Sequence, residues 1–127
     1  MNTIAHGIDL VEVARIARML AEHGESFLDR CFTPGERRYA HESARRDEHL
    51  AARFAAKEAT LKALGTGWRS GIAWTDVEVI SEASGAPTLV LHGRAAEIAR
   101  ERGISGWLVS LSHTEHHAAA SVIALAE

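Results

Sequence analysis

The sequence has only one cysteine, Cys31, so no disulfide bond can form within the chain. Its apolar neighbours Phe27, Leu28 and Phe32 predict a buried thiol that packs as a small hydrophobic group. No stretch approaches the ~20 apolar residues of a transmembrane helix. Residues 1–7 also lack the basic and apolar regions of a secretory signal. We therefore expect a cytoplasmic protein with no membrane partner.

An excess of positive charge is also missing, because the formal net charge is −3. A nucleic-acid partner therefore has no electrostatic support beyond local patches. Apolar residues make up 46% and charged residues 24%, as in ordinary globular proteins and unlike disordered chains. A chain of 127 residues can bury one hydrophobic core but not two, so residues 1–127 are predicted to form a single domain.

Several common catalytic signatures are absent. The sequence contains no GxxxxGK[ST] loop and no GxGxxG, so the usual nucleotide-binding folds are not indicated. It has no GxSxG elbow for a nucleophilic serine. His113, His116 and His117 crowd one turn, but without cysteine ligands or an HExxH motif an exposed turn explains them better than a zinc site.

The first half of the sequence is predicted to be mainly helical. Thr33 and Glu36 can form a capping box around Pro34, and Gly24 is placed to end an earlier helix. The predicted order is a strand from Thr3 to Asp9, a helix from Val11 to Glu22, a helix from Thr33 to about Ala44, and a long helix capped by Ser43 or Asp47 and ending at Leu64.

The second half changes to strand patterns. The predicted elements are a hairpin of Val77–Val79 and Thr88–Leu91 turning at Ser84-Gly85, a short helix from Arg94 to Arg102, and strands Trp107–Ser112 and Ala118–Leu125. Helices in the first half and an antiparallel sheet mainly from the second half predict an α+β domain.

The long helix carries charges where a buried helix would not be expected to have them. Leucines and Phe54 form one stripe and alanines form the opposite stripe, so both faces are predicted to be buried. Lys57 falls inside the leucine stripe, and Glu58 and Lys62 lie at its edge. Charges beside a buried helix suggest a functional site, because desolvating a carboxylate costs several kcal/mol unless a ligand or partner compensates it. An ordinary Glu58–Lys62 helix pair remains the alternative.

The glycines directly after this helix also allow two interpretations. Gly65, Thr66 and Gly67 could let backbone N–H groups approach a phosphate. A glycine just past a helix is more often a C-terminal cap.

Four segments, taken in order, resemble the holo-acyl-carrier-protein synthases, the short single-module type of 4′-phosphopantetheinyl transferase. The segments are Gly7-Ile8-Asp9-Leu10-Val11-Glu12, Phe32-Thr33-Pro34-Gly35-Glu36, Arg53 to Ala59 followed by Gly65-Thr66-Gly67, and Ser110-Leu111-Ser112-His113-Thr114. This resemblance implies transfer of the phosphopantetheine arm of coenzyme A to a serine of an acyl carrier protein. It also implies that Asp9 and Glu58 bind Mg²⁺, which typically takes one or two carboxylates together with water and phosphate oxygens.

The resemblance further implies roles for residues beyond the metal pair. Lys62 is expected to contact the pyrophosphate, and Glu58 to take the proton of the attacking serine directly or through a metal-bound water. The remaining coenzyme contacts are expected from Ser112 and His113 for the phosphates, Gly65, Thr66 and Gly67 for the nucleotide, and Arg45 and Arg53 for the 3′-phosphate.

Enzymes of this type work as homotrimers with active sites between subunits, so the resemblance implies a trimer. An acidic carrier protein would then meet the first helix at Arg15, Arg18 and an exposed Met19. A solvated charged face that also carries Glu12 and Glu22 explains the same residues. Two other functions stay open: a non-catalytic α+β binding module, and a different Mg²⁺-dependent nucleotide hydrolase.

Overall fold

The computed structural model describes residues 1–68 and 70–127. Its elements, in chain order, are β1 (Asn2–Glu12), α1 (Val13–His23), α2 (Glu25–Cys31), α3 (Pro34–His41), α4 (Arg46–Leu64), β2 (Val77–Ser81), β3 (Pro87–Leu91), α5 (Gly93–Glu101), β4 (Gly106–His113) and β5 (His117–Ala126), with a 3-10 turn at Trp74–Asp76 before β2. Four of the five α-helices in the described residues precede residue 65, so the predicted α+β class is confirmed.

The strands of the described residues form two antiparallel sheets. The larger has the strand order β1-β5-β4, and the smaller is the predicted β2-β3 hairpin. In the larger sheet Asp9 lies opposite Ala120, and Leu111 on β4 lies opposite the same alanine. Because successive side chains alternate between the faces of a strand, Gly7 and Asp9 share the face toward α4, and Ile8 lies on the other face.

Helix α4 is the central element, because thirteen of its 19 residues are buried. Both of its predicted apolar faces are therefore confirmed. The helix packs against β1 at unusually close range: a Cβ added to Gly7 would lie 1.9 Å from the carbonyl oxygen of Ala59. Only glycine allows this approach, and the contact sets the register between β1 and α4.

The beginning of the chain differs from the prediction in two ways. Strand β1 continues to Glu12, which pairs with His117, so α1 begins at Val13 and not at Val11. Gly24 ends α1 with a φ of 51°, as predicted, but the short helix α2 follows immediately and was missed. Its buried Phe27 and Cys31, four residues apart, are the helical signal that could have revealed it.

The N-terminal caps of α3 and α4 agree only in part with the sequence prediction. Thr33 and Glu36 form the predicted capping box at the start of α3, which ends at His41, before Ala44. The predicted Ser43 or Asp47 cap of α4 is wrong: Arg45 holds the N-cap position without a side-chain bond. Ser43 instead accepts the backbone N–H of Arg45 in the preceding turn, at 3.0 Å.

The buried environment predicted for Cys31 is confirmed. Within residues 1–68 and 70–127, none of the helices has the length and apolar character needed to cross a bilayer.

Candidate active site

Asp9 lies on the α4 side of β1, next to a lysine from that helix. The ammonium of Lys62 donates to Asp9 Oδ1 at 2.8 Å and to the backbone oxygen of Ile8 at 2.9 Å. The Lys62 side chain is 57% exposed, whereas that of Asp9 is only 17% exposed. The lysine therefore reaches over the surface toward a largely enclosed carboxylate.

Glu58 lies on α4 between the buried residues Lys57 and Ala59, and is itself half-buried. Burial raises the pKa of the Glu58 carboxyl, and the negative charge of Asp9 raises it further. The nearby indole N–H of Trp68 and the cations Arg15 and Lys62 oppose this shift. The Nε1 of Trp68 has no partner within hydrogen-bonding geometry among the described residues, so its N–H acts on Glu58 as a nearby dipole.

Two carboxylates of like charge in a partly desolvated position form a site suited to a cation. Among the described residues, no group of three or more His, Cys, Asp or Glu side chains is arranged to hold a metal. A cation at Asp9 and Glu58 would thus need further ligands from water or substrate. Mg²⁺ fits this donor set, because it usually binds one or two carboxylates and keeps several waters or phosphate oxygens.

The glycine segment after α4 acts first as a helix cap. Gly65 has a φ of 75°, and its N–H is bonded to the carbonyl oxygens of Leu61 and Lys62 at 2.9 and 3.2 Å. The C-cap interpretation of Gly65 is therefore confirmed. Gly67 also has a positive φ, 59°, and a Cβ added there would meet no atom within 4 Å. The Thr66 hydroxyl donates to the carbonyl oxygen of Gly67 at 2.9 Å.

A second group of predicted residues surrounds the first half of α4. The imidazole Nδ1 of His113 lies 2.8 Å from Glu48 Oε1. Arg53 is only 2% exposed and donates to Ser81 Oγ at 2.7 Å. The Arg53 guanidinium also stacks 4.1 Å over the Tyr39 ring. Burial lowers the pKa of Arg53, although the charge of that group survives throughout the physiological range.

Arg53 and His113 line a cavity of about 160 Å³. No carboxylate lies within ion-pair distance of Arg53 among the described residues, and its Nε has no hydrogen-bond partner there. Arg45 is exposed at the start of the same helix. A buried guanidinium with an unused donor beside a cavity is suited to an anionic ligand.

Within one chain the two groups stay apart. Glu48 and Glu58 are ten positions apart on α4, which corresponds to about 15 Å along the helix. Ser112 and His113 point to opposite faces of β4, with His113 on the α4 side and Ser112 on the open face. The fold brings Asp9, Glu58 and Lys62 together and leaves Ser112 elsewhere.

A groove lies along α1 and is lined by Arg15, whose charge acts on Glu58. A cavity of about 300 Å³ lies between α1, α2 and α4, with Phe27, Phe54 and Trp74 among its apolar walls. Arg15 stacks 5.4 Å over Phe54, and its charge also lowers the pKa of Glu58. Met19, predicted to be exposed, is half-buried because it lines the groove and packs against the core.

Arg18, by contrast, is exposed on the same helix. Sequence reasoning missed the electrostatic link from Arg15 to Glu58, the neighbouring Trp68 and the Glu48–His113 pair. No sequence signal could have identified them, because each joins residues from separate elements.

A carboxylate pair beside a lysine, held between a strand and a buried helix of an α+β domain, defines a candidate enzyme of the group-transfer class. Comparison with known proteins makes the assignment more specific. Residues 5–121 match the model of the 4′-phosphopantetheinyl transferase superfamily, so the chain belongs to that family. The predicted family is thereby confirmed.

Individual relatives match this chain along most of their length. A holo-acyl-carrier-protein synthase of Koribacter versatilis is 52% identical over 117 residues, which cover 92% of this chain and 94% of the relative. The crystal structure of the synthase from Neisseria meningitidis has a TM-score of 0.85 at 34% identity, covering 95% of this chain and 97% of the other. The Helicobacter pylori synthase, solved with coenzyme A, has a TM-score of 0.83 at 28% identity, covering 94% and 99%.

Proposed function

We propose that this transferase moves the 4′-phosphopantetheine group of coenzyme A to a serine hydroxyl of an acyl carrier protein, and releases adenosine 3′,5′-bisphosphate. The observation that carries the proposal is the convergence of Asp9, Glu58 and Lys62 in a chain of this family. Asp9 and Glu58 would hold Mg²⁺, which would neutralise charge on the pyrophosphate when bound.

Lys62 and Glu58 would supply the remaining chemistry at the Asp9 site. The Lys62 ammonium is exposed enough to turn from Asp9 toward a pyrophosphate oxygen. Glu58 would accept the serine proton, because its half-buried carboxylate lies beside the position proposed for the cation and the pyrophosphate. Direct acceptance and acceptance through an intervening water are both compatible with its position.

The second group of residues supports binding of the coenzyme's 3′-phosphate. Arg53 has an unused donor beside a cavity, and His113 shares that cavity. Arg45 lies near the Glu48 partner of His113, at the start of α4. Since Ser112 lies on the open face of the sheet, we assign its phosphate contact to the coenzyme of a neighbouring subunit. Thr66, between Gly65 and Gly67, would line the nucleotide site.

A homotrimer with active sites between subunits is supported by the open face of the larger sheet. Helix α4 covers one face, but on the other Ile8, Leu10 and Leu108 are 60%, 66% and 55% exposed. Three large apolar side chains on one sheet face commonly mark an interface between subunits.

Carrier docking is assigned to the groove along α1. Its apolar walls and its basic rim, with Arg15 and Arg30, suit an acidic helix that inserts an apolar side chain. Met19 would supply part of the wall and Arg18 would extend the basic rim. Arg15 lines the groove and its charge acts on Glu58, so a docked carrier would have its serine on the side of the carboxylates.

The direct test measures the mass of an apo acyl carrier protein incubated with coenzyme A, Mg²⁺ and this protein. A gain of one phosphopantetheine that disappears with chelator supports the proposal. No gain supports a binding module. Release of adenosine bisphosphate without any carrier supports a hydrolase. The expectation of one domain spanning residues 1–127 and a cytoplasmic location belongs to the same proposal.

A further inference from the structure

Lys57 is a lysine with no solvent contact at all, since its side chain is 0% exposed. Its ammonium donates to Glu36 Oε1 at 2.8 Å, to the carbonyl oxygen of Trp74 at 3.1 Å and to that of Val77. Three acceptors match the three N–H donors of an ammonium. Lys57 thus has no donor left for a substrate and no path to reach one.

Glu36, its partner, is equally enclosed and equally saturated. Its side chain is 0% exposed, and it accepts the backbone N–H of Thr33 and of Val79, each at 2.9 Å. Burial lowers the pKa of Lys57, and the Glu36 carboxylate opposes that shift. The pair therefore connects the start of α3, the middle of α4 and strand β2 by bonds of fixed direction.

The burial of this ion pair is not explained by stability alone. Two apolar side chains of similar volume would avoid the desolvation cost of both charges, and replacements of that kind are often neutral or stabilising. What apolar side chains cannot supply is direction, because hydrophobic contact is non-directional. The three bonds of Lys57 restrain the rotation of α4 about its own axis.

Glu58 lies between two such restraints. On one side Lys57 is held by its three bonds, and on the other the carbonyl of Ala59 lies so close to Gly7 that an added Cβ would clash with it. Asp9 is two residues beyond Gly7, on the same face of β1. The direction of Glu58 toward Asp9 is consequently set by its two neighbours in sequence.

A second connection runs from Lys57 to the same carboxylate. The Trp74 backbone is bonded to Lys57, and the Trp74 ring packs on Phe54 with centroids 4.6 Å apart and on Trp68 with centroids 3.6 Å apart. Trp68 is the indole beside Glu58. The wall of the site and the helix that carries Glu58 are therefore held by one ammonium group.

We propose that Lys57 is a positioning residue, whose ammonium, held by Glu36 and the carbonyls of Trp74 and Val77, orients α4 so that Glu58 and Asp9 converge on one cation. The cation itself rests on the function proposed above, whereas the orientation of Glu58 does not depend on it.

The test replaces the whole pair, because Lys57→Met alone would leave Glu36 buried without its cation and could prevent folding. The double variant Lys57→Met with Glu36→Gln keeps volume and net charge. We expect it to fold with a melting temperature lowered by several degrees, because the amide oxygen can accept only one of the two backbone N–H groups that the carboxylate accepts. We expect its Kd for Mn²⁺, measured by electron paramagnetic resonance without coenzyme, to rise about tenfold or more, and kcat/KM to fall with it.

The matched control is Arg94→Met with Glu101→Gln, which removes an exposed pair 3.4 Å apart on α5 and should leave Mn²⁺ binding unchanged. A crystal structure of the Lys57/Glu36 variant should show Glu58 turned away from Asp9. If Mn²⁺ affinity and the Glu58 position both match the parent, the positioning role is wrong. If the parent binds no Mn²⁺, the metal proposal fails, and the Glu58 position in the crystal structure alone decides the role of Lys57.

Discussion

Gly7→Ala is the substitution that probes most directly how the fold assembles the site. The added Cβ would lie 1.9 Å from the Ala59 carbonyl oxygen, 2.9 Å from its carbonyl carbon and 3.1 Å from the Ala63 nitrogen. All three atoms belong to the backbone of α4, so no side chain can rotate away. To reach even 3.0 Å from the oxygen, β1 and α4 must separate by about 1.1 Å.

The expected cost follows from that displacement. Overpacking of a rigid contact typically costs about 1–3 kcal/mol, which for a domain of this size lowers the melting temperature by roughly 4–12 °C. Asp9 lies two residues from the clash, so it should move relative to Glu58. A misplacement of about 1 Å can cost about a hundredfold in rate, and we expect a loss of that order in kcat/KM.

The assay pairs thermal denaturation with carrier-modification rates measured well below the melting temperature. The control is Gly106→Ala on β4, where the new Cβ would meet Leu125 at an ordinary 4.0 Å. Because alanine also reduces the freedom of the unfolded chain, this control should be neutral or stabilised by about 0.4–1 kcal/mol. A Gly7→Ala protein with the stability and activity of the control would refute the close contact between β1 and α4 as the determinant of the site.

Three further outcomes are expected. The pKa of Glu58 is raised in the folded protein, so without metal its contribution to stability is present at low pH and lost as pH rises through that pKa. The melting temperature of Glu58→Gln should therefore exceed the parent's by a margin that grows with pH, while its kcat/KM falls about a hundredfold. Arg18→Glu should raise the KM for the carrier protein and weaken the salt dependence of that KM without changing coenzyme A binding, whereas Arg15→Glu should also disturb Glu58. Unchanged carrier kinetics in both variants would exclude α1 as the docking surface. Leu108→Asp should convert a sedimenting trimer into monomers of low activity, and a fully active monomer would disprove the interface.

Local signals in the sequence were sufficient for most elements. The Thr33–Glu36 capping box, the alternation in the hairpin strands and the two apolar faces of α4 depend on neighbours a few residues apart, and the structure confirms each. The boundary between β1 and α1 was misplaced because the pairing of Glu12 with His117 involves a partner at the other end of the chain.

For the site, too, the sequence predicted what depends on local spacing and missed what depends on contacts between remote residues. The sequence alone determined that charges at Lys57, Glu58 and Lys62 lie on or beside a buried helix, because helical periodicity depends only on spacing. Its motifs also determined the family. It could not determine that Lys57 is saturated by Glu36, or that Lys62 bonds to Asp9.

Only the tertiary structure decided which charge serves which purpose. Three charged residues on one helix have similar local surroundings in sequence, yet one is sealed inside, one is half-buried and one reaches the surface. The difference arises from the elements packed against each: α3 and β2 over Lys57, and β1 against the side that carries Glu58 and Lys62. Burial and electrostatics depend on distance in space, and the close approach of Gly7 to Ala59 brings together residues that are remote along the chain.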